Sequence, residues 1–344
     1  MKTQYANAVT QYENGTSLGG RIIKEGGLVV FPTETVYGLG ANGLNSEAVL
    51  KIFAAKGRPA DNPLILHIAK KSELKPLWSH VPDNARILAD TFWPGPLTMI
   101  FNRSSIVPDE VTAGLDTVAV RMPLNKTARA LINAAGVPIA APSANLSGKP
   151  SPTTAEHVRQ DMDGRVDLII DGGPCKYGLE STVVSLIGRP TILRPGAVTK
   201  EMLEAVIGPV DVAHAVLSPL REGETAASPG MKYRHYAPDA EVVVAEGRER
   251  EIAAKICREY DAREAAGEDC IIFATKQTQP FYRGRNCVII GDRTEPATLC
   301  ASLFYSLREY GDRAGVIFAE ALPNDDMGLA YMNRLLRSAG FNII

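Results

Sequence analysis

The stretch Leu28-Val29-Val30-Phe31-Pro32-Thr33-Glu34-Thr35-Val36-Tyr37-Gly38-Leu39 sets the reading of the whole chain. Its first four residues are apolar and read as a buried strand. Proline cannot extend a ladder, so residues 32–40 read as a loop that carries the hydroxyls of Thr33 and Thr35. Downstream, Asn45 or Ser46 caps a helix with Val49, Ile52 and Phe53 on one face, and Gly57 stops it. Lys56 and Arg58 therefore flank a helix C-terminus and its exit loop. Residues 64–68 follow as a strand bearing His67.

The same alternation continues through residue 209. Residues 97–101, 117–120, 137–141, 168–171, 182–186 and 191–193 read as strands, and residues 84–91, 126–135 and 199–207 as helices. Thr153 and Glu156 have the spacing of a capping box for one more helix. This pattern predicts an α/β domain with a sheet of about seven strands. Arg121 and Arg194 stand at strand ends, and Ser143 and Asn145 follow another strand across Pro142. In open α/β sheets that edge is where ligands collect.

Periodicity disappears over residues 210–238, where aromatics, cations and prolines gather in Ser228-Pro229-Gly230-Met231-Lys232-Tyr233-Arg234-His235-Tyr236-Ala237-Pro238. A purely flexible tether is rich in Gly, Ser or Glu instead, so this linker reads as an element with a job. Over residues 239–344, strands at 241–245, 270–274, 288–291 and 316–319 alternate with helices at 248–264, 296–310 and 327–339. That is a small Rossmann-like, doubly wound α/β domain without a glycine fingerprint. The expected division is thus a domain over 1–209, a linker over 210–238 and a second domain over 239–344. A chain of 344 residues fits two cores better than one.

A formal net charge of −2 argues against a protein that holds long nucleic acid through phosphates, yet leaves room for a local basic pocket. Five widely spaced cysteines fit reduced thiols rather than a disulfide framework or zinc site. No segment is apolar for long enough to span a bilayer, and residues 1–20 lack the pattern of a signal peptide, so a cytoplasmic location is expected.

Each candidate residue has two readings. Lys56 and Arg58 are either solvated cations at a helix end or phosphate ligands. Thr33 and Thr35 either satisfy a turn or face a ligand, and Ser143 and Asn145 either cap the next turn or do the same. Arg121 follows an apolar strand and needs water, an acid or an anion. His67, flanked by Leu66 and Ile68, is either a hydrogen-bonded core residue or functional. Ser181 has no His and Asp in an order that suggests a triad. There is no phosphate-wrapping glycine loop, His-Glu-x-x-His or nucleophile elbow. Cations, hydroxyls and amides suit positioning and charge stabilisation rather than covalent catalysis.

The order of these motifs carries a resemblance. Residues 31–40, Lys56-Gly57-Arg58 with Asn62-Pro63-Leu64, Trp93-Pro94-Gly95-Pro96-Leu97-Thr98, Arg121-Met122-Pro123, Ala141-Pro142-Ser143-Ala144-Asn145 with Ser147-Gly148, and Ser181-Thr182-Val183 resemble the YrdC-like domain. His235-Tyr236-Ala237-Pro238 and the appended domain resemble the long, two-domain form of the threonylcarbamoyl-AMP synthase family. The resemblance implies a twisted open mixed sheet and a nucleotidyltransferase joining L-threonine, bicarbonate and ATP with release of pyrophosphate. The product would feed threonylcarbamoyladenosine formation in tRNA through a downstream transferase complex, without stable direct binding of tRNA. It further implies that Thr35, His67, Arg121, Ala141 and Ser181 hold threonine, and that Arg58, Asn62, Thr117, Ser143, Ser151 and Arg194 hold ATP. Tyr236 would close over the nucleotide, Lys56 and Arg58 would face the phosphates as catalytic cations, and Mg2+ would arrive with ATP rather than at a protein-built site. Three alternatives stay open at this stage: an RNA-binding module without chemistry, a carbamoyl-adenylate-forming enzyme, which would ordinarily bring zinc-finger cysteines, and a regulatory nucleotide sensor that binds ATP and threonine without turnover.

Overall fold

The computed structural model describes residues 2–8, 12–218 and 235–344, and within it the chain divides into two units. The first comprises residues 1–147 and 151–233; the second takes Gly148–Pro150 together with Arg234–Ile344. Most of the linker motif, residues 219–234, lies outside the described residues.

In chain order the first unit runs β1 (Gln4–Asn7), α1 (Tyr12–Lys24), β2 (Val29–Phe31), β3 (Gly38–Asn42), α2 (Ser46–Lys56) and β4 (Ile65–His67). It continues with α3 (Asp83–Phe92), β5 (Leu97–Asn102), α4 (Asp109–Thr112), β6 (Thr117–Arg121), α5 (Lys126–Ala135) and β7 (Ile139–Ala141). Last come α6 (Ala155–Met162), β8 (Leu168–Asp171), β9 (Thr182–Ser185), β10 (Thr191–Arg194), α7 (Lys200–Ile207) and β11 (Asp211–Val212). The strands form one mixed sheet in the order β1-β8-β2-β3-β7-β4-β6-β5-β9-β10-β11.

Eleven strands replace the expected seven or so. The additions are short or polar: β1 buries little, β3 hides inside what reads as a loop, and β11 adds a strand where the linker was expected to begin. Helix α1 escapes the apolar pattern because it contains three glycines, which ordinarily disfavour helices. Packing requires them. A Cβ on Gly20 would stand 2.6 Å from the Ala134 backbone, so α1 and α5 touch almost backbone to backbone. Asn45 caps α2 by accepting from Ala48 N–H at 3.0 Å, and Gly57 closes it in the left-handed conformation. The cap of α6 is Thr154, whose hydroxyl accepts from His157 N–H, rather than Thr153.

Burial shows how the sheet is covered. Side chains from α2, α3, α4, α6 and α7 join Leu66, Val118, Val120 and Val184 in the main core on one face. Ile23 of α1 and Ala128, Leu131 and Ile132 of α5 pack with Phe31, Ile139 and Ala141 on the other. Further along that second face Ile65, Ile100, Ala119 and Val183 make a small cluster of strand residues only.

The second unit follows the predicted order closely: β12 (Glu241–Ala245), α8 (Glu249–Ala265), β13 (Cys270–Thr275), β14 (Cys287–Gly291), α9 (Pro296–Gly311), β15 (Val316–Glu320) and α10 (Asp326–Ser338). Its sheet is parallel throughout, in the order β12-β15-β13-β14. Near-continuous apolar strands are what a parallel sheet covered by helices requires. No helix among the described residues is long and apolar enough to cross a membrane.

Candidate active site

Residues that face each other directly in a ladder point to the same side of a sheet. His67 pairs with Arg121, Arg121 with Thr98, Thr98 with Val183, and Val183 with Arg194. This makes one row across five strands. One step away lies a second row, Ala141, Ile65, Ala119 and Ile100. Thr117 begins a third row on the same face, four residues and therefore roughly 13 Å from Arg121. A small apolar stripe is thus bordered by polar groups on both sides.

Three loops are tied over the polar borders. Tyr37 N–H donates to Pro152 O at 2.9 Å, Ala144 N–H donates to Tyr37 O at 2.9 Å, and Gly38 bridges Ser143. Tyr177 N–H donates to Glu34 O at 2.9 Å, which draws in the loop after β8. The buried Tyr37 hydroxyl donates to Gly173 O at 2.7 Å, and burial pushes its ionisation upward, so it stays a neutral donor.

Around Arg121 the hydrogen bonds have a definite direction. Its guanidinium donates to Glu34 Oε1 at 2.6 Å, Thr35 Oγ1 at 2.9 Å and Gly95 O at 3.3 Å. Thr33 donates to Val36 O at 2.6 Å, so in its 2.8 Å contact with Thr35 the proton belongs to Thr35. With one lone pair already on Arg121, Thr35 offers a bound molecule a second lone pair only. His67 behaves alike. Nδ1 lies 3.1 Å from Ile65 O, which can only accept, so the neutral ring keeps its proton there and Nε2 is an acceptor. Burial first, and then the charge of Arg121, lower the His67 pKa to about 3, so the imidazole is neutral at working pH.

This depression has a stability consequence with a fixed sign. An unfolded histidine takes up a proton near pH 6.5 while the folded one refuses it down to about 3, so stability falls as pH drops through that window. The slope approaches about 1.4 kcal/mol per pH unit. We expect His67→Gln to remove this component, seen as a shallower loss of urea midpoint between pH 6.5 and 4.5 than in the wild type. Parallel curves would refute it.

At the end of the same row Arg194 donates to Ser181 O at 3.1 Å and Ser181 Oγ at 3.2 Å, and Ser181 Oγ lies 2.7 Å from Thr98 Oγ1. The structure therefore brings Thr35, His67, Arg121 and Ser181 to one border of the stripe, with Arg194 among them, and places Ala141 in the stripe itself.

On the other border, Arg58 donates to Asn62 O at 2.9 Å. The Asn62 side chain is 0% exposed, and neither its carboxamide oxygen nor its nitrogen has a hydrogen-bond partner among the described residues. A buried amide with both ends unmatched costs stability unless something else satisfies it. Ser151 donates to Glu180 Oε1, so its hydroxyl is already engaged.

Lys56 differs from the sequence expectation. It is 3% exposed, and Nζ donates to Ser143 O and Asn145 O, both at 2.6 Å, with Asn145 Oδ1 at 3.4 Å. These bonds fasten the 143–145 loop to the end of α2. Ser143 in turn donates to Asn145 Oδ1. Tyr236 belongs to the second unit, buried with its ring 4.8 Å from Phe304. Sequence reading missed Glu34, Thr98 and Glu180. Each lies inside or beside a recognised motif, yet its partner is distant in the chain.

Comparison with known proteins agrees with this architecture. Residues 21–196 match a family described as "Telomere recombination", and residues 198–340 match "Threonylcarbamoyl-AMP synthase, C-terminal domain". A threonylcarbamoyl-AMP synthase from Pyrococcus abyssi is 48% identical, covering 94% of this chain and 93% of its own. One from Bacillus subtilis is 47% identical over 94% and 92%. The crystal structure of P. abyssi Sua5 complexed with L-threonine superimposes with a TM-score of 0.93 at 44% identity, covering 100% of this chain and 99% of that one.

Proposed function

The chain belongs to the threonylcarbamoyl-AMP synthase family in its two-domain form and uses ATP to make L-threonylcarbamoyl-AMP; we propose that the striped sheet face of its first unit is where this happens. Threonine takes the Arg121 border and the nucleotide takes the border of Arg58, Asn62, Thr117, Ser143 and Ser151. The observation that carries the assignment is the unmatched, fully buried carboxamide of Asn62, a donor and acceptor pair ready for a polar ligand.

In this reading the threonine carboxylate meets the two N–H groups of Arg121 that the described residues leave unused. Thr35 Oγ1 and His67 Nε2 accept from the substrate's own donors, its amine and hydroxyl. Threonine reacts as its neutral amine, the ammonium proton having passed to solvent, and the nitrogen lone pair attacks bicarbonate carbon to give an N-carboxylate and water. A carboxylate oxygen then attacks the α-phosphorus, and the bond to pyrophosphate breaks. Arg58 offsets charge on the phosphates, a contribution that reaches several kcal/mol in preorganised sites. Among the described residues no three His, Cys, Asp or Glu side chains gather as a metal-holding group. Magnesium, which would shield phosphate charge, fits as part of the ATP complex. The adenylate passes to a tRNA-modifying transferase, and the protein works in the cytoplasm without holding tRNA itself.

The test is pyrophosphate release from ATP with threonine and bicarbonate supplied or withheld. Arg58→Ala should lower threonine-dependent release by about a hundredfold or more. Undiminished turnover in that variant, or release that ignores threonine, would sink the assignment.

A further inference from the structure

We propose that Glu34 is a positioning residue for threonine recognition, acting through Arg121. The inference rests on the functional reading above and extends it to a residue outside the substrate-contacting set.

Glu34 divides its carboxylate between two tasks. Oε1 accepts from Arg121 Nη2 at 2.6 Å, while Oε2 accepts the backbone N–H groups of Leu124 at 3.0 Å and Asn125 at 3.1 Å. Asn125 is the N-cap of α5, so the second oxygen is moored to the start of a helix, where a negative charge is favoured. The carboxylate is therefore fixed independently of Arg121 and can serve as its reference. Burial alone would raise the Glu34 pKa, but the Arg121 charge and the hydrogen bonds overcome it and hold the group ionised.

Counting donors shows what this fixing achieves. A guanidinium has five N–H groups, and Glu34, Thr35 and Gly95 take one each, from Nη2, Nη1 and Nε. One N–H remains on each terminal nitrogen, the pair a carboxylate engages with two oxygens. Without Glu34 the guanidinium can rotate its Nη2 edge to find another acceptor, and the remaining pair loses its aim. With Glu34 5% and Arg121 4% exposed, water offers little substitute.

A purely structural ion pair would also tie the loop to α5, so the test must separate the two roles. Threonine and a non-hydrolysable ATP analogue are titrated calorimetrically into the full chain carrying Glu34→Gln, Arg121→Lys or both. Positioning predicts a threonine Kd raised about ten- to a hundredfold in Glu34→Gln, the nucleotide Kd within about twofold of wild type, and a double variant no weaker than Arg121→Lys alone. Multiplying effects, or an unchanged threonine Kd in Glu34→Gln, would overturn the proposal. If Glu34→Gln is unfolded by circular dichroism, Glu34→Asp enters the same cycle with the same two outcomes. Arg121→Ala serves as control. Wild-type threonine affinity there defeats the functional reading itself, whereas weak binding there with normal binding in Glu34→Gln defeats only the role of Glu34.

Discussion

Alanine at position 121 should remove threonine-dependent pyrophosphate release and lower stability by about 3–5 kcal/mol, the usual cost of stranding one member of a buried ion pair. The partner left behind is Glu34, which is 5% exposed and bonded to Arg121 at 2.6 Å. Binding suffers separately. Losing the guanidinium that meets a substrate carboxylate costs about 2–5 kcal/mol, a factor of roughly 30 or more in threonine affinity. Urea denaturation reads the first effect and calorimetric titration with threonine the second. A variant as stable as wild type would show that the ion pair contributes nothing net, and one that binds threonine normally would place the amino acid elsewhere.

The second large effect is expected at Lys56. Methionine there keeps the length and apolar stem but removes all three donors to the 143–145 loop. The carbonyls of Ser143 and Asn145 are left without that partner inside the protein, at a cost of about 2–5 kcal/mol for the pair. The loop also loses its anchor to the end of α2, so the KM for ATP should rise more than about tenfold through misplacement of Ser143. Arginine should not rescue it, because a planar fork cannot match three acceptors that converge on one nitrogen. A methionine variant of normal stability with a reduced kcat would instead mean that the lysine acts on the phosphates directly.

Much of this was legible from the residues, for reasons that can be named. The second unit announces itself because its strands are apolar runs bounded by Gly, Asp and Pro, and its helices carry regular apolar faces. Glu241–Ala245 matches its predicted bounds, α9 runs one residue further at its C-terminal end, and α8 and α10 are each shifted by one residue at both ends. The first unit is less transparent where tertiary packing overrides local preference. Helix α1 exists because its glycines allow α5 to approach, which no reading of residues 12–24 alone reveals.

At the site, residue types were readable and their partners were not. Arg121 needed water, an acid or an anion, and an anion was the attractive option; the structure supplies an acid, Glu34, a residue 87 positions earlier. Lys56 beside Arg58 reads as a cationic pair, yet the helix end points Lys56 inward to the 143–145 loop. Thr98 becomes visible only once β5 is known to lie between β6 and β9, opposite Arg121 and next to Ser181. Such pairings depend on strand register, which the chain encodes through packing rather than through any local motif.

The claim on which the account stands is that one sheet face holds the amino acid and the nucleotide side by side, separated by Ile65, Ala119 and Ala141. A crystal structure of the full chain with L-threonine and a non-hydrolysable ATP analogue tests it directly. The account predicts the threonine carboxylate on the Arg121 guanidinium and the Asn62 carboxamide hydrogen-bonded to the nucleotide. A nucleotide bound away from Asn62 and Arg58, or a threonine whose carboxylate avoids Arg121, would contradict it.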